Sequence, residues 1–405
     1  MLVRRGLVLV GTLVIVVVVV VALTQGNDRT NKHSSTPLTR RNGAASTCAP
    51  IANPLPGMPA VLDPCDIYSA DGPGGLSLSA KAARPLVYVP NVVSNTVDEI
   101  DPTAYRIVRH IAVGALPQHV VPSWDLKTLW VTNDEGNSVT PIDPVTGIPS
   151  TPISVEDPYN MYFTPDGRYA IVVAEALGRL DFRDPHTMAL VHSLPVPCPG
   201  VDHLDFSADG TYLIASCEFT NQLLKVDVAR QSVIGTLLLR AGAVPQDVRL
   251  SPDGNVFYVA DKMLNGLWEI NGNALRVMGY LHTGKEAHGL YVSRDAKDLY
   301  VSNRGDGTVS VVSFATRQVV ATWVLPPESG AHLGGGANVA SPDMGGVSAD
   351  GTVLWLSGRY DSDVYAIDTR TGQQLARVMV GNGPHGLCVW PQPGRYSLGH
   401  TGILR

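Results

Sequence analysis

The chain has 405 residues, of which only 16% are charged, and its formal net charge is −6. It contains no block of Lys and Arg, whereas a general nucleic-acid binder presents a clustered positive surface. We therefore expect no nucleic-acid partner. The 40 Gly and 30 Pro residues favour a fold with frequent tight turns.

Residues 1–25 have the features of a signal anchor or a signal peptide. Arg4 and Arg5 precede Leu7–Leu23, a run without a charged residue that would form about 26 Å of helix, enough to cross a bilayer. This predicts a transmembrane helix that anchors the protein to the cytoplasmic membrane. The alternative is a signal peptide cleaved after Ala22, which would release a secreted protein. In both cases the rest of the chain is exported.

Residues 26–84 are predicted to be an extracytoplasmic linker. The stretch Gln25–Thr47 is polar and has the composition of a disordered tether. Cys48 and Cys65 then bracket a Pro-rich loop. In an oxidising compartment these two cysteines are expected to form a disulfide that braces a segment with no core of its own.

The stretch His288–Leu325 shows the repeating unit of the remaining chain. Its four β-rich runs are separated by polar turns, and they are Gly289–Val292, Leu299–Asn303, Thr308–Ser313 and Val319–Leu325. This pattern predicts a four-stranded antiparallel meander. Because such a sheet has two apolar faces, it must stack on copies of itself.

Copies of this unit are found along the whole of residues 85–394. The second run recurs with starts at Val87, Leu129, Ala170, Leu213, Phe257, Leu299 and Leu354. The interval between successive starts is nearly constant, and only the last one, from Leu299 to Leu354, is clearly longer. A repeat of about 40–45 residues with four strands is typical of a β-propeller blade. The sequence therefore predicts an all-β, seven-bladed propeller with four-stranded antiparallel blades.

The second run also carries a motif, seen as Tyr88–Asn91 (YVPN), Trp130–Asn133 (WVTN) and Tyr300–Asn303 (YVSN). With Pro-Asp-Gly turns upstream and Asp-Pro-x-Thr-Gly turns downstream, the chain resembles the YVTN-repeat (YncE-like) family of seven-bladed propellers. The resemblance implies the fold. It implies no particular chemistry, because the family is defined by a structural repeat. The propeller of cytochrome d1-type nitrite reductase is similar in architecture and differs in chemistry.

The two ends of the repeat array predict how the ring closes. The first repeat begins at its second strand, and the last repeat ends with a first strand, Gly386–Trp390. We therefore expect Leu387–Trp390 to pair with Val87–Asn91, so that both chain ends build one blade without a loose edge. Residues 395–405 are expected to be a short C-terminal tail.

Polar residues recur where each repeat enters its first strand, which in a propeller lines the mouth of the central channel. The candidate ligand-binding residues are His119, Asn160, His203, Asp247, His288, Asp343 and His385. A ring of His and carboxylate could hold a divalent metal ion or a small ligand. It is also what the wall of a water-filled channel needs, because polar side chains satisfy backbone groups there. A third interpretation is catalysis.

The other recurring residues have structural interpretations. Asp101, Asp143, Asp227 and Asp368, with Asp184 close to register, end third strands, and their carboxylates are expected to accept hydrogen bonds within tight turns. Cys198 and Cys217 fall in one repeat and are either a second disulfide or two buried thiols. Cys388 is expected to be a small packed hydrophobe.

No haem-attachment motif, quinoprotein docking motif or catalytic sequence motif is present. The leading hypothesis is therefore a monomeric binding scaffold of the cell envelope, with a protein or small-molecule ligand. The alternative is a metal-dependent lyase or lactonase at the channel mouth. Its site would lie beneath the loop Pro326–Asp343, which lengthens one repeat and contains three consecutive glycines, Gly334–Gly336.

Overall fold

A computed structural model describes residues 48–327 and 339–405. The predicted membrane helix Leu7–Leu23, the tether Gln25–Thr47 and most of the Pro326–Asp343 loop lie outside these residues. Within the described ranges no helix is long and apolar enough to cross a membrane. The short helix α1 (Leu78–Lys81) is capped by Ser77, whose Oγ accepts a hydrogen bond from the backbone N–H of Ala80.

The strands of the described residues form seven antiparallel sheets, each of them one blade. Blade 1 contains β1 (Leu86–Asn91), β2 (Thr96–Asp101) and β3 (Arg106–Ala112). Blade 2 contains β4 (Pro117–Pro122), β5 (Leu129–Asn133), β6 (Ser138–Asp143), β7 (Ile148–Pro149) and β8 (Ile153–Ser154). Blade 3 contains β9 (Asn160–Phe163), β10 (Ala170–Ala174), β11 (Arg179–Arg183) and β12 (Leu190–Pro195).

The next three blades are regular meanders. Blade 4 contains β13 (Val201–Phe206), β14 (Tyr212–Cys217), β15 (Gln222–Asp227) and β16 (Ser232–Leu238). Blade 5 contains β17 (Pro245–Leu250), β18 (Phe257–Asp261), β19 (Gly266–Asn271) and β20 (Arg276–His282). Blade 6 contains β21 (Ala287–Val292), β22 (Asp298–Asn303), β23 (Thr308–Ser313) and β24 (Gln318–Val324).

Blade 7 contains β25 (Pro342–Val347), β26 (Val353–Gly358), β27 (Asp363–Asp368) and β28 (Gln374–Met379). The chain ends with β29 (Cys388–Trp390), β30 (Ser397–Gly399) and β31 (Ile403–Leu404). Strand β29 pairs with β1 in the register Leu86↔Trp390, Val87↔Val389 and Tyr88↔Cys388. The predicted closure by both chain ends is therefore confirmed.

Burial explains why the second run of each repeat is apolar without alternation. Every residue of β10 is buried, because both of its faces pack against neighbouring blades. The outer strand β24 instead alternates between exposed and half-buried residues along its length. The hydrophobic core of the propeller thus lies in the layers between inner strands.

The hydroxyl residue of the recurring motif has a specific role. It accepts a hydrogen bond from the backbone N–H of the neighbouring first strand, at 2.8–3.2 Å, in the pairs Thr132–His119, Ser216–His203, Ser302–Gly289 and Ser357–Met344. In each of these blades the first strand is irregular at the same place. The motif therefore satisfies a backbone donor that the regular ladder would leave unpaired.

Two segments close one end of the channel. Strand β30 pairs with both β31 and β9, so residues 395–405 form a hairpin that extends blade 3 to six strands. The residues before blade 1 cover the same end, where Leu55 donates its backbone N–H to Asp209 and Ile67 donates to Pro252. The described propeller is therefore a cup that is open only at the opposite face, which we call the mouth face.

The predicted disulfide Cys48–Cys65 is present. Of the two interpretations for Cys198 and Cys217, the structure shows the disulfide. The two disulfides indicate an oxidising, extracytoplasmic environment. Cys388 is a buried thiol, as expected. The turn aspartates are also confirmed as structural, because Asp101 and Asp368, for example, each accept hydrogen bonds from the Thr and backbone N–H groups of their own turns.

Candidate functional site at the channel mouth

A recurring β-bulge explains how five of the seven predicted channel residues are positioned, namely His119, His203, Asp247, His288 and Asp343. Five first strands shift register at equivalent places. The shift lies between Pro117 and His119 in β4, between Val201 and Leu204 in β13, between Pro245 and Val248 in β17, between Ala287 and Leu290 in β21, and between Pro342 and Gly345 in β25. A bulge re-aims the side chains at its extra residue. The seven predicted residues are all buried, and the structure brings them into two groups.

The first group is the histidine cluster, His119, His203 and His400. One ligand nitrogen of each lies within 4.8 Å of the others. Asn160 contacts two of its members, with Nδ2 at 3.2 Å from Nδ1 of His203 and 2.9 Å from Nδ1 of His400. His400 was not predicted from the sequence, because it lies in the C-terminal hairpin outside the repeat.

Asp247 lies beside the histidine cluster at the closed end of the channel. Its Oδ2 is 3.7 Å from Nε2 of His400 and 3.5 Å from Nη2 of Arg249. Burial opposes ionisation of this carboxyl, but Arg249 and then His400 outweigh burial and hold its pKa below the ordinary value. Asp247 is therefore a fixed negative charge beneath the imidazoles.

The second group is the Asp343 group, which consists of His288, Asp343 and His385. Nδ1 of His288 lies 3.2 Å from Oδ1 of Asp343, and Nε2 of His385 lies 3.6 Å from Oδ2. Arg304 reaches the same carboxylate, with Nη1 at 3.2 Å from Oδ1. The carboxylate of Asp343 is thus shared between two imidazoles and one guanidinium.

Burial keeps the channel histidines neutral. It lowers the pKa of His203 to about 3, with a further contribution from His400. Burial is also the main cause of the lowered pKa values of His119, His288 and His385. At neutral pH these side chains are therefore imidazoles, the form that binds metal ions and can accept a proton or a hydrogen bond.

A third set of residues, the mouth ring, was missed by the sequence analysis. It consists of the residue directly after each second strand, namely Val92, Asp134, Glu175, Glu218, Lys262, Arg304 and Arg359. Six of the seven donate their backbone N–H to the segment that precedes the first strand of the same blade, so they occupy equivalent places. Extending the repeat alignment by one residue would have found this ring.

The mouth ring divides into two arcs of opposite charge. Blades 2–4 contribute the acidic arc, Asp134, Glu175 and Glu218, and blades 5–7 contribute the basic arc, Lys262, Arg304 and Arg359. The arcs meet at an ion pair, with Nζ of Lys262 at 3.7 Å from Oε1 of Glu218. Propeller symmetry places such columns around one axis, so acidic side chains on one side of the mouth lie across from basic side chains on the other.

A cavity of about 250 Å³ lies at the mouth, between the two arcs. Its lining includes Glu175 and Glu218 on one side, Arg304 and Arg359 on the other, and His385. Nη1 of Arg359 is buried and has no hydrogen-bond partner among the described residues. Burial, and then Glu218, raises the pKa of Glu175 to about 8. At neutral pH Glu175 is therefore mostly protonated, and the cavity contains a guanidinium group that is incompletely paired among the described residues.

Comparison with solved structures finds the same fold in proteins of low sequence identity. Hydrazine synthase from Kuenenia stuttgartiensis is 19% identical with a TM-score of 0.59, over 72% of this chain and 94% of that one. A functionally unknown protein from Desulfotomaculum acetoxidans DSM 771 is 16% identical with a TM-score of 0.61, over 74% and 98%. Dihydro-heme d1 dehydrogenase NirN is 13% identical with a TM-score of 0.55, over 78% and 77%.

These identities establish likeness of fold alone. A search of curated protein sequences found no match. The model of one family, described as the YNCE-like beta-propeller, matches residues 38–393. That match covers the whole blade array and agrees with the seven closed blades of the structure. The chain therefore belongs to the YNCE-like β-propeller family.

Proposed function

We propose that this protein is an extracytoplasmic binding propeller whose mouth cavity takes a small ligand that carries both a positive and a negative group. The main support for this proposal is that the acidic arc and the basic arc line the same cavity. Glu175 belongs to blade 3 and Arg359 to blade 7, so they stand nearly opposite each other in a ring of seven. A single ligand lying across the channel would meet both.

The chemistry of the two arcs supports a zwitterion. An ammonium group beside Glu175 and Glu218 would lower the raised pKa of Glu175 and favour its ionised form, so that both carboxylates pair with the cation. A carboxylate on the other side would pair with the planar guanidinium of Arg359, whose Nη1 lacks a partner in the described structure. Two buried polar atoms of the lining, Oε1 of Gln118 and Nδ1 of His385, are also without hydrogen-bond partners among the described residues.

The size of the cavity restricts the ligand. Its 250 Å³ is about eight times the liquid volume of one water molecule. This suits a compound of the size of an amino acid or a very short peptide. It is below the usual volume of drug-sized pockets, which begins at about 300 Å³.

The proposal is tested by calorimetry on the full-length protein after removal of metal ions with a chelator. The probes are glycine, β-alanine, γ-aminobutyrate and glycylglycine, with butyrate and n-butylamine as controls that carry one charge each. We expect at least one zwitterion to bind, and both controls to bind at least about 10-fold more weakly, because each lacks one charge-assisted contact. Failure of all four zwitterions, or equal binding of a control, would contradict the proposal.

Variants of the mouth ring provide the matched comparison. Arg359→Gln and Glu175→Gln should each weaken zwitterion binding by about 10-fold or more. Arg276→Gln and Glu135→Gln change exposed residues and should leave binding unchanged. If Arg359→Gln binds the zwitterion as tightly as the unaltered protein does, the basic arc is not part of the ligand site.

A protein partner is a second candidate function, supported by apolar residues on the mouth face. Val93, Leu177, Phe219, Met263 and Tyr360 lie in the turns after the second strands and are between 40% and 65% exposed. Exposed apolar groups around a polar centre are typical of interaction sites. A photo-crosslinker placed at Phe219 should form a specific adduct in envelope preparations, and one at the exposed outer-strand residue Leu238 should not.

The alternative of a metal-dependent lyase or lactonase uses the same cavity. It is supported by His288 and His385, which line the mouth and have lowered pKa values. An assay on lactone substrates decides this alternative, since turnover should be abolished by a chelator and by His385→Ala. If the metal-loaded protein shows no turnover, the enzyme alternative is wrong and the binding function is the one that remains.

We also propose that Leu7–Leu23 anchors the propeller outside the cytoplasmic membrane. The basic residues before this run and the disulfides after it support the orientation. Alkaline extraction of membranes followed by N-terminal sequencing tests the anchor. A sedimenting protein that begins at residue 1 supports it, and a soluble protein that begins at residue 23 indicates cleavage.

A further inference from the structure

We propose that His119, His203 and His400 bind a divalent transition-metal ion at the inner end of the channel, beneath the mouth cavity. One ligand nitrogen from each residue lies within 4.8 Å of the other two. Ligands of a tetrahedral zinc ion at about 2.0–2.1 Å are about 3.3 Å apart. Small rotations of three side chains would therefore complete the site. The proposal is independent of the mouth ring, none of whose residues is a ligand.

The unused hydrogen-bonding atoms of the cluster are the first argument. Nε2 of His119, of His203 and of His400 is buried, and none has a hydrogen-bond partner in the described structure. Nδ1 of His119 lies 3.0 Å from the carbonyl oxygen of Tyr159. Because a carbonyl only accepts, His119 carries its proton on Nδ1 and leaves the Nε2 lone pair free. This is the tautomer that second-sphere contacts usually impose on a metal-bound histidine.

The surrounding charges are the second argument. Oδ1 of Asp202 lies 3.2 Å from Nε2 of His203, and Oδ2 of Asp247 lies 3.7 Å from Nε2 of His400. Both aspartates are fully buried, and neither oxygen of Asp202 has a hydrogen-bond partner in the described residues. A buried cation is stable only when a counter-charge is close. Asp247, whose pKa is held below its ordinary value, provides this charge. Burial raises the pKa of Asp202 well above its ordinary value, so Asp202 is not counted as a charge here.

The Asp343 group is a weaker candidate for the same ion. Its carboxylate already pairs with Arg304, whose Nη1 is 3.2 Å from Oδ1 of Asp343. A divalent ion there would stand next to a guanidinium. In addition, Nδ1 of His288, the nitrogen nearest Asp343, lies 3.0 Å from Sδ of Met344. The histidine cluster offers three imidazoles, whereas the Asp343 group offers two. Asp247, beside the histidine cluster, also contacts an arginine, Arg249, at 3.5 Å, but Asp247 is not one of the proposed ligands. We therefore assign the metal to the histidine cluster.

Asn160 decides which nitrogens of His203 and His400 are available. Its amide nitrogen faces Nδ1 of both rings, an arrangement in which each ring carries its proton on Nε2 and donates towards Asp202 or Asp247. Flipping the amide, so that its oxygen and nitrogen exchange places, presents the oxygen to two Nδ1–H groups and frees both Nε2 atoms for a metal. The flip gives up the hydrogen bond that Oδ1 accepts from the backbone N–H of Met161 at 2.8 Å, a cost that metal binding must offset. Asn160 is thus a positioning residue, and metal binding is expected to select the flipped amide.

The test is a titration of the chelator-treated, full-length protein with Co²⁺, followed by visible absorption and by metal analysis after Zn²⁺ loading. We expect one ion per chain and absorption bands of a low-symmetry Co²⁺ site. His203→Ala and His400→Ala should weaken binding at least about 10-fold, and Asn160→Leu by about 10- to 100-fold. His282→Ala, at an exposed histidine of β20, should bind as the unaltered protein does.

Two results would overturn the proposal: the absence of a stoichiometric ion after loading, or unchanged affinity in His400→Ala. Circular dichroism establishes that each variant is folded. If His400→Ala is not, His400→Asn retains more of the side-chain volume and is measured instead. Zwitterion binding is measured without metal, so failure of the metal site and failure of the mouth ligand are distinguished.

Discussion

Glu175 shows how a single residue of the mouth ring makes the stability of the protein depend on pH. Burial is the main cause of its raised pKa of about 8, and Glu218, Asp134 and Asp157 contribute. The folded state therefore holds the Glu175 proton more tightly than the unfolded state, whose ordinary pKa is 4.5. Its contribution to stability is complete below pH 4.5 and is lost as pH rises through about 8.

We expect Glu175→Gln to make the protein less sensitive to pH between 5 and 8. At pH 8 the variant should have a Tm about 2 °C or more above that of the unaltered protein, because a buried carboxylate has been replaced by a neutral amide. Thermal melts across this pH range provide the measurement. Glu135→Gln, at an exposed neighbour, should behave like the unaltered protein, and identical pH curves for both variants would contradict the expectation.

At the scale of elements, a buried ion pair adds to the backbone hydrogen bonds that hold the C-terminal hairpin against blade 3. Nη2 of Arg405 lies 3.2 Å from Oδ1 of Asp205, and its guanidinium stacks 4.5 Å from the ring centre of Tyr68. Asp205 also accepts backbone hydrogen bonds from Phe206 and Leu250. The contact thus joins the end of the chain, blade 4 and the segment before the propeller, and it positions His400.

Arg405→Gln should destabilise the protein by about 3–5 kcal/mol, because it leaves Asp205 buried without a charged partner. The free energy of unfolding from denaturant titration is the measurement. Adding Asp205→Asn removes the uncompensated charge and should restore part of the loss, as a double-mutant cycle would show. Additive losses in the double variant would indicate that the two side chains do not interact.

The Cys198–Cys217 disulfide also stabilises an element of the mouth. It links the segment before β13 to Cys217, the residue next to Glu218 in the mouth ring. Replacing both cysteines by Ser should lower the free energy of unfolding by about 2–4 kcal/mol and should also weaken binding of a zwitterion. The matched variant without Cys48–Cys65 should leave ligand binding unchanged. If both variants weaken zwitterion binding equally, the Cys198–Cys217 disulfide has no specific role in positioning the mouth ring.

At the scale of the whole molecule, ring closure depends on β29, which joins the two ends of the repeat array by pairing Val389 with Val87. This innermost strand of blade 1 is buried along its whole length. Its pairing removes the free edges of the array. Closure therefore makes the seven sheets one cooperative unit and keeps the mouth ring continuous.

Val389→Asp places an unpaired charge in this closing strand and should abolish stable folding, with a loss of more than about 4 kcal/mol. Val191→Asp changes an exposed residue of the outer strand β12 and should stay within about 0.5 kcal/mol of the unaltered protein. Size-exclusion chromatography and thermal melts compare the two. A folded monomer with an unchanged Tm for Val389→Asp would show that closure is dispensable.

The repeat made much of this molecule predictable from sequence. Equivalent strands recur at near-constant spacing, so the columns that contain His119, His203 and His385 could be identified by aligning the repeats with one another. The mouth ring, including Glu175 and Arg359, occupies the column directly after the aligned second strands and was missed only because that alignment stopped one residue short. The predicted tail at residues 395–405 gave no sign of its hairpin, because it lies outside the repeat.

The amino-acid sequence by itself determined the blades, their number and the strands that close the ring, because these follow from local periodicity and from where the repeats begin and end. Only the tertiary structure decided that His400 joins His119 and His203, that Arg304 reaches Asp343, and that the opposite end of the channel is closed. Such contacts depend on side-chain direction at bulges and on packing between residues far apart in the chain. No local pattern encodes either.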